Sequence, residues 1–485
     1  MSDRLVRWMP LALVCGALAW IAQKSAQPIS DPDDWWHLRL GNDLIAQHSL
    51  AAPAHWSVFA TESWVPTEPV PEVVSAYVER WFGLPGLAVL FSLFAMLVAV
   101  VVHLTNRREA APLPAAVATV FAVLAGSGSL TSRPQLVSFL LLPILLAAWL
   151  QTDRDLKPRW WLVPLMWFWS LCHGFWFLGA GLGLAVVVGI AVSRRADLVT
   201  LAKLAGVAVG CFAVVALNPV GLGVFEAPFA VQSTSAYITE WQRTDLLLPG
   251  PLGAVAMIVV TAVVWVVTRE RVTVARVLLL LASAFFLWYA VRLVIVAGLV
   301  AAPLFAGALD TLVRRAGDPG DSGDPGEPGD PGEAHQRGPG RTEVRVLVAA
   351  LLVGVVAVGC AAPFTADEPA DVPVAFDPAL DRLPAGTVVF NAYELGGWVS
   401  WRHPDLEQYI DGLITPYPPQ HAEDFHRAEI QGPGWYRVVR DSHAPVAVLA
   451  TQSALAAALQ GKGWTPTGTD AGYVLLEAPG RAGGR

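Results

Sequence analysis

The residues best able to do chemistry are crowded into one short stretch near the start of the chain. Residues 31–37 read Asp-Pro-Asp-Asp-Trp-Trp-His. Carboxylates grouped in this way can act as a general base, so Asp31, Asp33 and Asp34 are the candidate catalytic residues. They can also hold a divalent cation, for which Asp31 and Asp33 are the predicted ligands. Helix capping is the structural alternative, because a carboxylate is favourable at a helix N-terminus. Capping explains one carboxylate at this position well, but it explains three poorly.

The surrounding segment, 25–83, carries further polar candidates. His37 closes the acidic stretch, and Glu68 and Glu72 follow four positions apart. These three are candidate substrate contacts, with a solvated helix face as the alternative for the glutamates. The two tryptophans before His37 are typical of a membrane–water interface, and we predict that they anchor the segment there.

Two arginines lie where a positive charge is uncommon, at the predicted outer face, or unfavourable in free energy, within apolar sequence. Arg133 precedes Pro134, which suits the first position of a helix, so a guanidinium and free helix amides together could bind an anion. A snorkelling side chain is the alternative. Arg292 is flanked by apolar sequence, where a charge must be paired or must reach an anion. His173 in a predicted turn joins the two arginines as a candidate phosphate ligand, although a hydrogen-bonded turn residue is the simpler interpretation. Glu240 is a predicted loop contact.

Long apolar runs must position these residues. The chain has 485 residues, of which 54% are hydrophobic and 15% charged, whereas a soluble domain has about a quarter charged. A helix needs about 20 apolar residues to cross a bilayer. The sequence predicts eleven such spans, at 7–24, 84–104, 111–128, 134–151, 160–174, 176–193, 200–217, 251–268, 275–290, 292–310 and 345–362.

The short-loop Arg and Lys residues predict the orientation of these spans. With the N-terminus in the cytoplasm, the basic residues fall at cytoplasmic ends, as the positive-inside rule requires. The segments 25–83 and 218–250 then lie outside. The first helix is predicted to be an uncleaved anchor, because Lys24 stands where a signal-peptide cleavage site needs a small residue.

Glycine recurs at every third position of 317–332, within an acidic segment that we assign to 316–343. A collagen-like triple helix has this period, but the run is short and tethered between two spans. We therefore predict a disordered cytoplasmic linker between the membrane core, 1–315, and the last span, 344–362.

The composition changes again after the last span. Residues 363–485 contain β-type runs at 387–390 and 446–449 and a helical stretch at 452–460. The tail is predicted to be a small extracytoplasmic α/β domain, long enough to bury a modest core.

The four cysteines form no CxxC pair, which argues against a disulfide framework or a cysteine zinc site. No basic patch with interleaved aromatics suggests nucleic acid. Under the predicted topology, the unusual carboxylates and arginines collect at the outer face. That arrangement suits a reaction with an anionic lipid, in which arginines bind the phosphate and a carboxylate deprotonates the acceptor.

The first-loop motif Asp-Pro-Asp-x-Trp-Trp-His-Leu-x-x-Gly, residues 31–41, resembles that of a group of bacterial polytopic membrane proteins. These proteins are similar to the GT-C class of glycosyltransferases, which use polyprenyl-phosphate sugars. Further matching stretches in chain order run almost to the C-terminus: Glu68 and Glu72, Arg133-Pro134-Gln135-Leu136, His173-Gly174, Asn218-Pro219-x-Gly221, Glu240-Trp241, Val389-Phe390-Asn391-x-Tyr393-x-x-Gly396-Gly397 and Tyr409-Ile410-Asp411-Gly412.

This resemblance implies a GT-C-like core of about eleven helices with an active site at the extracytoplasmic face. It also implies a catalytic acid in the first outer loop, where Asp33 and Asp31 match the motif and Asp34 occupies a variable position. One departure is that Thr67-Glu68-Pro69 stands where the group has His-Glu-Trp.

The leading hypothesis is a glycosyltransferase of the bacterial cytoplasmic membrane. It would move a sugar from a polyprenyl phosphate to an envelope glycan, lipid or protein, with a divalent cation as an optional cofactor. The alternative is a non-enzymatic scaffold or lipid-carrier-binding protein whose C-terminal domain, around Asn391 and Tyr393, binds the partner. A transporter ranks third, because the unusual charges lie at one face and not at the membrane midplane.

Overall fold

A computed structural model describes residues 3–51, 56–62, 64, 66–226, 239–317 and 338–480. A helix occupies each of the eleven segments that hydropathy predicts as spans. They are α1 (Asp3–Ser25), α3 (Pro69–Asn106), α4 (Pro112–Ala125), α5 (Leu136–Asp155), α6 (Leu162–Ser170), α7 (Trp176–Val192), α8 (Leu198–Ala213), α9 (Pro249–Thr268), α10 (Val274–Tyr289), α11 (Val294–Gly317) and α12 (Arg341–Thr365). One further helix, α2 (Asp33–Ala46), precedes α3.

Six of the described helical runs are long and apolar enough to cross a membrane. Three shorter apolar helices, α4, α7 and α10, accompany them. The chain is therefore a polytopic helical membrane protein, and the full count of eleven spans stays a prediction. Most of the predicted acidic linker, at 318–337, lies outside the described residues.

Helix α3 is broken where its apolar span begins. Gly83 has φ 62° and ψ −165°, a conformation that residues with a side chain rarely adopt. The break separates the stretch Pro69–Phe82 from the predicted span at 84–104. Trp81 and Phe82 immediately precede it and are 70% and 67% exposed, as is typical of aromatic side chains at a membrane surface.

The chain forms two compact units. The first, here called the helical unit, contains 1–26, 89–221 and 238–361. The second, here called the mixed unit, contains 27–88, 222–237 and 362–485. The first predicted outer loop and the C-terminal tail thus fold together.

In the helical unit, α11 is the central helix and packs against α4, α9 and α10. Small residues permit this close packing. A side chain at Gly126 would collide with Ile295, and one at Gly298 would collide with Ala125. The sequence of α11 is apolar on all sides, which is typical of a helix buried among others.

The predicted cytoplasmic ends of several helices are joined by ion pairs inside the helical unit. Glu109, which is 5% exposed, pairs with Arg154 of α5 and Arg276 of α10. Asp153 pairs with Arg195, which follows α7, at 2.6 Å. These contacts bring together basic residues that the positive-inside rule places on one side.

The mixed unit contains a five-stranded sheet in the order β2-β1-β3-β5-β4. The strands are β1 (Val388–Asn391), β2 (Glu407–Gln408), β3 (Val446–Ala450), β4 (Thr465–Asp470) and β5 (Tyr473–Glu477). Strand β1 is parallel to β2 and β3, whereas β5 is antiparallel to β3 and β4. The two predicted β-type runs are confirmed as β1 and β3.

Five short helices complete this unit: α13 (Asp377–Leu380), α14 (Gly396–Arg402), α15 (Pro419–Glu429), α16 (Trp435–Asp441) and α17 (Ala454–Gly461). The predicted helical stretch at 452–460 corresponds to α17. Its Leu455 and Leu459 pack with Phe390, Leu449 and Trp464 in the core beside the sheet. Helix α14 packs against α2, so the acidic motif is built into this unit.

Replacing Glu109 by Gln is expected to destabilise the helical unit. The change removes the buried carboxylate that pairs with Arg154 and with the less exposed Arg276, and loss of one partner of a buried ion pair is destabilising. The apparent melting temperature in detergent should fall clearly below that of the wild type. Glu62→Gln, at an exposed position outside this ion-pair network, is the control and should melt like the wild type. Equal melting of all three proteins would contradict the assigned role of Glu109.

Candidate active site

The acidic motif forms the first turn of α2, as its sequence predicts. The Asp33 N–H donates to Asp31 Oδ1 at 3.2 Å, and the Asp34 N–H donates to the Asp31 carbonyl at 3.1 Å. The Asp31 carboxylate thus supports the backbone, which is part of the structural alternative. Asp31 and Asp33 are partly exposed, whereas Asp34 is 3% exposed. A substrate can therefore reach the first two more readily than Asp34.

The predicted interfacial role of the two tryptophans is wrong. Trp35 is 1% exposed and stacks against Trp401 at 5.0 Å. Trp36 is 9% exposed and belongs to a cluster with Leu40, Leu44, Trp56 and Leu413. Their apolar rings are satisfied by protein contacts inside the mixed unit, so they hold α2 in its fold instead of facing lipid.

Two glycines of the C-terminal tail lie against the acidic motif. A Cβ at Gly412 would stand 2.6 Å from Asp33 Oδ1 and 3.3 Å from the Trp36 indole nitrogen. A Cβ at Gly397 would stand 3.0 Å from both the Pro32 carbonyl oxygen and the Trp36 nitrogen. The backbone of the tail therefore lies so close to Asp33 that there is no room for a side chain at position 412.

A buried hydrogen-bond network holds the turn that carries Gly412. Asn391, at the end of β1, is fully buried. It donates to the Ile410 carbonyl at 2.7 Å and accepts from the Tyr409 N–H at 2.9 Å. These bonds fix the turn to the sheet. Asn391 itself is not at the surface, whereas Tyr393 is half-buried.

Asp411 holds the same turn from the other side. It accepts from Gln408 Nε2 at 2.6 Å, from the Tyr417 hydroxyl at 3.0 Å and from the Leu413 N–H at 2.9 Å. Burial raises the pKa of Asp411, and its hydrogen bonds oppose that rise. Burial also raises the pKa of Tyr417, as does the neighbouring Asp411. Asp411 thus stabilises the turn through its hydrogen bonds.

His37 lies between the two glutamates of the first loop. Its Nδ1 is 2.9 Å from Glu72 Oε1, and its Nε2 is 3.7 Å from Glu68 Oε2. The three residues are 6%, 8% and 1% exposed, in the order His37, Glu68, Glu72. The interpretation of the glutamates as a solvated face is therefore wrong. Among the described residues, this trio is the group whose donor atoms could hold a metal, whereas Asp31 and Asp33 do not form such a group.

The approach of α2 to α3 explains this cluster. Gly41 lies one turn after His37 on α2, and a Cβ there would collide with the Glu72 carbonyl and with Ala76. The missing side chain lets the first turn of α3 approach α2. Glu68 and Glu72, four positions apart, then point to the same side and meet the imidazole.

In the helical unit, the structure brings together the predicted phosphate ligands. Glu240 Oε1 pairs with Arg133 at 2.7 Å, and its Oε2 pairs with Arg292 at 3.2 Å. The Arg292 guanidinium also lies over the rings of Phe175 and Trp241, at 5.6 Å and 5.9 Å. The two guanidinium groups thus share one carboxylate. The sequence indicates that Glu240 lies in a loop, but it gives no sign that Glu240 bridges the two arginines.

Helix α5 begins two residues after Pro134, which the sequence predicts as its first position. Helix α5 begins at Leu136 with Gln135 as its cap, and the Gln135 side chain donates to the Ser129 carbonyl at 3.2 Å. The preceding residues form a turn, so Arg133 stands outside the helix. Its guanidinium pairs with Glu240.

His173 is held in a single neutral tautomer by its neighbours. Its Nδ1 accepts from the Phe175 N–H at 3.1 Å and from the Ser138 hydroxyl at 2.9 Å. The Ser138 oxygen in turn accepts from the Trp169 indole N–H at 2.7 Å. With Nδ1 occupied as an acceptor, the ring proton resides on Nε2, which makes that atom a donor.

Comparisons with known proteins give no match to a family model and none to a curated protein. Solved structures do match. The archaeal oligosaccharyltransferase AglB from Archaeoglobus fulgidus, in complex with an inhibitory peptide and a dolichol-phosphate, has a TM-score of 0.57 at 13% identity. The alignment covers 92% of this chain and 70% of that one. The same enzyme in the apo form has a TM-score of 0.54 at 14% identity, covering 91% and 69%.

ArnT from Cupriavidus metallidurans in the apo state aligns over 98% of both chains, with a TM-score of 0.51 at 17% identity. At these identities the matches establish the fold alone. They confirm the architecture that the first-loop resemblance implied. This chain shares the fold of these two solved proteins.

Proposed function

We propose that this protein is a membrane glycosyltransferase that moves a sugar from a polyprenyl-phosphate donor to an acceptor of the cell envelope. The observation that carries the proposal is the acidic motif itself. Asp31 and Asp33 are partly exposed at the start of a helix whose other side is buried, and the tail presses on Asp33 through Gly412. Such a carboxylate is fixed in place yet open to a substrate, which is what a general base requires.

In the proposed reaction, Asp33 accepts the proton of the acceptor hydroxyl, and Asp31 holds the turn. The acceptor oxygen forms a bond to the anomeric carbon while the bond from that carbon to the phosphate oxygen breaks. The electron pair of that bond leaves with the polyprenyl phosphate, and the configuration at the sugar inverts. Asp34 is the weaker candidate because it is buried.

The proposed ligand of the arginine cluster is the donor phosphate. Arg133 and Arg292 offer several N–H donors, and the buried Arg292 Nε has no hydrogen-bond partner among the described residues. Guanidinium groups suit a phosphate and stabilise it as it leaves. Glu240 neutralises one positive charge and orients both arginines, while neutral His173 contributes a further donor.

The structural neighbours support the donor class. The AglB structure holds a dolichol-phosphate together with a peptide, and the present chain shares that fold. We extend the lipid-phosphate donor to this chain. The acceptor is a glycan, lipid or protein of the envelope.

The same proposal includes the topology that the sequence predicts. The chain would cross the bacterial cytoplasmic membrane eleven times, with its N-terminus inside and its C-terminal domain outside. The joined basic helix ends of the helical unit support this orientation, because such residues are retained on the cytoplasmic side.

Replacing Asp33 by Asn is expected to reduce sugar transfer by about 10²- to 10⁴-fold, because the amide cannot accept the acceptor proton. The measurement is incorporation of labelled sugar into the envelope fraction of cells that carry either protein. Glu62→Gln, at an exposed position in the same loop, is the matched control and should transfer at the wild-type rate.

This comparison also separates the enzyme from the scaffold. A scaffold or carrier-binding protein would tolerate Asp33→Asn without loss of function. Wild-type transfer by this variant, at normal abundance in the membrane, would refute the proposed base.

Replacing Arg133 or Arg292 by Ala is expected to raise the KM for the donor about 10- to 100-fold, because each charged hydrogen bond to phosphate contributes about 1.5–3 kcal/mol. The KM for the acceptor should change little. The measurement is initial rate against the concentration of polyprenyl-phosphate sugar in detergent. Arg243→Ala is the control, since the Arg243 guanidinium lies 5.1 Å from the Trp288 ring centre and outside the Glu240 pair. An unchanged donor KM in both variants would exclude this cluster as the phosphate site.

Replacing Gly412 by Ala is expected to lower kcat about 10²-fold with little change in the donor KM, because a displacement of about 1 Å at a catalytic group has an effect of this size. The added Cβ would lie 2.6 Å from Asp33 Oδ1, so the carboxylate must move. Gly461→Ala is the control, because a Cβ there meets no atom within 4 Å. A loss of stability without a separate loss of kcat would show that Gly412 does not position Asp33.

A further inference from the structure

The cluster of His37, Glu68 and Glu72 places two buried carboxyl groups beside one imidazole. Two carboxylates face one imidazole, and the described partner of the Glu72 carboxylate is His37. Glu72 Oε2 is buried and has no hydrogen-bond partner among the described residues. A buried carboxylate oxygen without a partner is costly unless a cation or a proton is bound there.

We propose that His37, Glu68 and Glu72 bind a divalent transition-metal ion, with Zn²⁺ as the preferred ion. Each residue offers one ligand atom, and these three atoms lie within 4.8 Å of one another. Ligands of a tetrahedral zinc ion lie about 3.3 Å apart, as bonds of about 2.0–2.2 Å require. Both carboxylates already contact the imidazole, Glu72 at Nδ1 (2.9 Å) and Glu68 at Nε2 (3.7 Å), and one of these two nitrogens would serve as the histidine ligand.

The chemistry of the ligands favours this class of ion. One imidazole nitrogen and two carboxylate oxygens suit zinc, whereas magnesium and calcium take oxygen ligands almost entirely. The site is buried in the mixed unit, which excludes most water and strengthens the attraction between the ion and the carboxylates. It is separate from Asp31 and Asp33, for which no such group of ligands is formed within the described part of the chain.

The position of the site suggests what the ion does. His37 belongs to α2, whereas Glu72 belongs to the first turn of α3 and Glu68 directly precedes it. An ion bound by all three would join the two helices where Gly41 already allows them to touch. His37 lies one helical turn after Asp33, so the ion would hold the acidic motif in register. The binding itself does not depend on the proposed glycosyl transfer.

The test is the zinc content of the purified full-length protein after its affinity tag has been removed. The protein is stripped with a chelator, incubated with ZnCl₂, freed of excess ion and measured by inductively coupled plasma mass spectrometry. The wild type is expected to bind one zinc per chain. Glu72→Gln and His37→Ala should bind zinc about 100-fold more weakly, since loss of a supporting group alone costs about 10- to 100-fold.

Two further variants make the result specific. Glu62→Gln, an exposed glutamate of the same loop, and Asp33→Asn should both retain one zinc per chain. Zinc should also raise the melting temperature of the wild type and leave that of Glu72→Gln unchanged, which shows that the variant is folded but empty.

Three outcomes would overturn the proposal. The first is a wild type that binds no zinc, and the second is equal zinc content in the wild type and in Glu72→Gln. The third is a loss of zinc in Asp33→Asn with retention in Glu72→Gln, which would move the metal to the acidic motif. These results are independent of sugar transfer, so failure of the metal site and failure of the proposed function remain distinguishable.

Discussion

The structure around the candidate site depends on backbone approaches that only a missing side chain permits. Helix α2 is contacted by the first turn of α3 at Gly41 and by the C-terminal tail at Gly397 and Gly412. Because α2 begins with the acidic motif, these contacts decide where its carboxylates stand. A side chain at Gly41 or Gly397 would collide with backbone atoms, and one at Gly412 would collide with the Asp33 carboxylate; core packing resists the movement that would relieve such collisions.

The close approaches have an electrostatic consequence. Bringing α3 against α2 buries Glu68 and Glu72 beside His37. Bringing the tail against α2 leaves Asp31 and Asp33 partly open. In the helical unit, a separate carboxylate, Glu240, holds two arginines together. Among the described residues, each cluster contains a buried polar atom without a hydrogen-bond partner, Glu72 Oε2 in one unit and Arg292 Nε in the other. A ligand of opposite charge would give each of these two atoms a partner.

Several features could be predicted from the sequence because they are local. The apolar runs, the helix that starts at the acidic motif and the β-type runs of the tail follow from periodicity and composition. The roles of individual residues were less predictable. Trp35 and Trp36 have the composition of an interfacial anchor, yet both are buried, because their partners Trp401 and Leu413 come from distant parts of the chain. Pro134, which follows Arg133, is typical of a helix start, but the helix begins two residues after this proline, at Leu136.

The sequence by itself determined which residue types lie near one another along the chain, and with them the membrane class and the acidic motif. Only the tertiary structure decided which distant residues meet. Glu240 lies 107 positions from Arg133 and 52 from Arg292, and Gly412 reaches Asp33 from the far end of the chain. The physical reason is that hydropathy and helix spacing are local properties, whereas close approach and charge pairing depend on how the folded elements pack. The spacing of residues along the chain therefore does not predict these contacts.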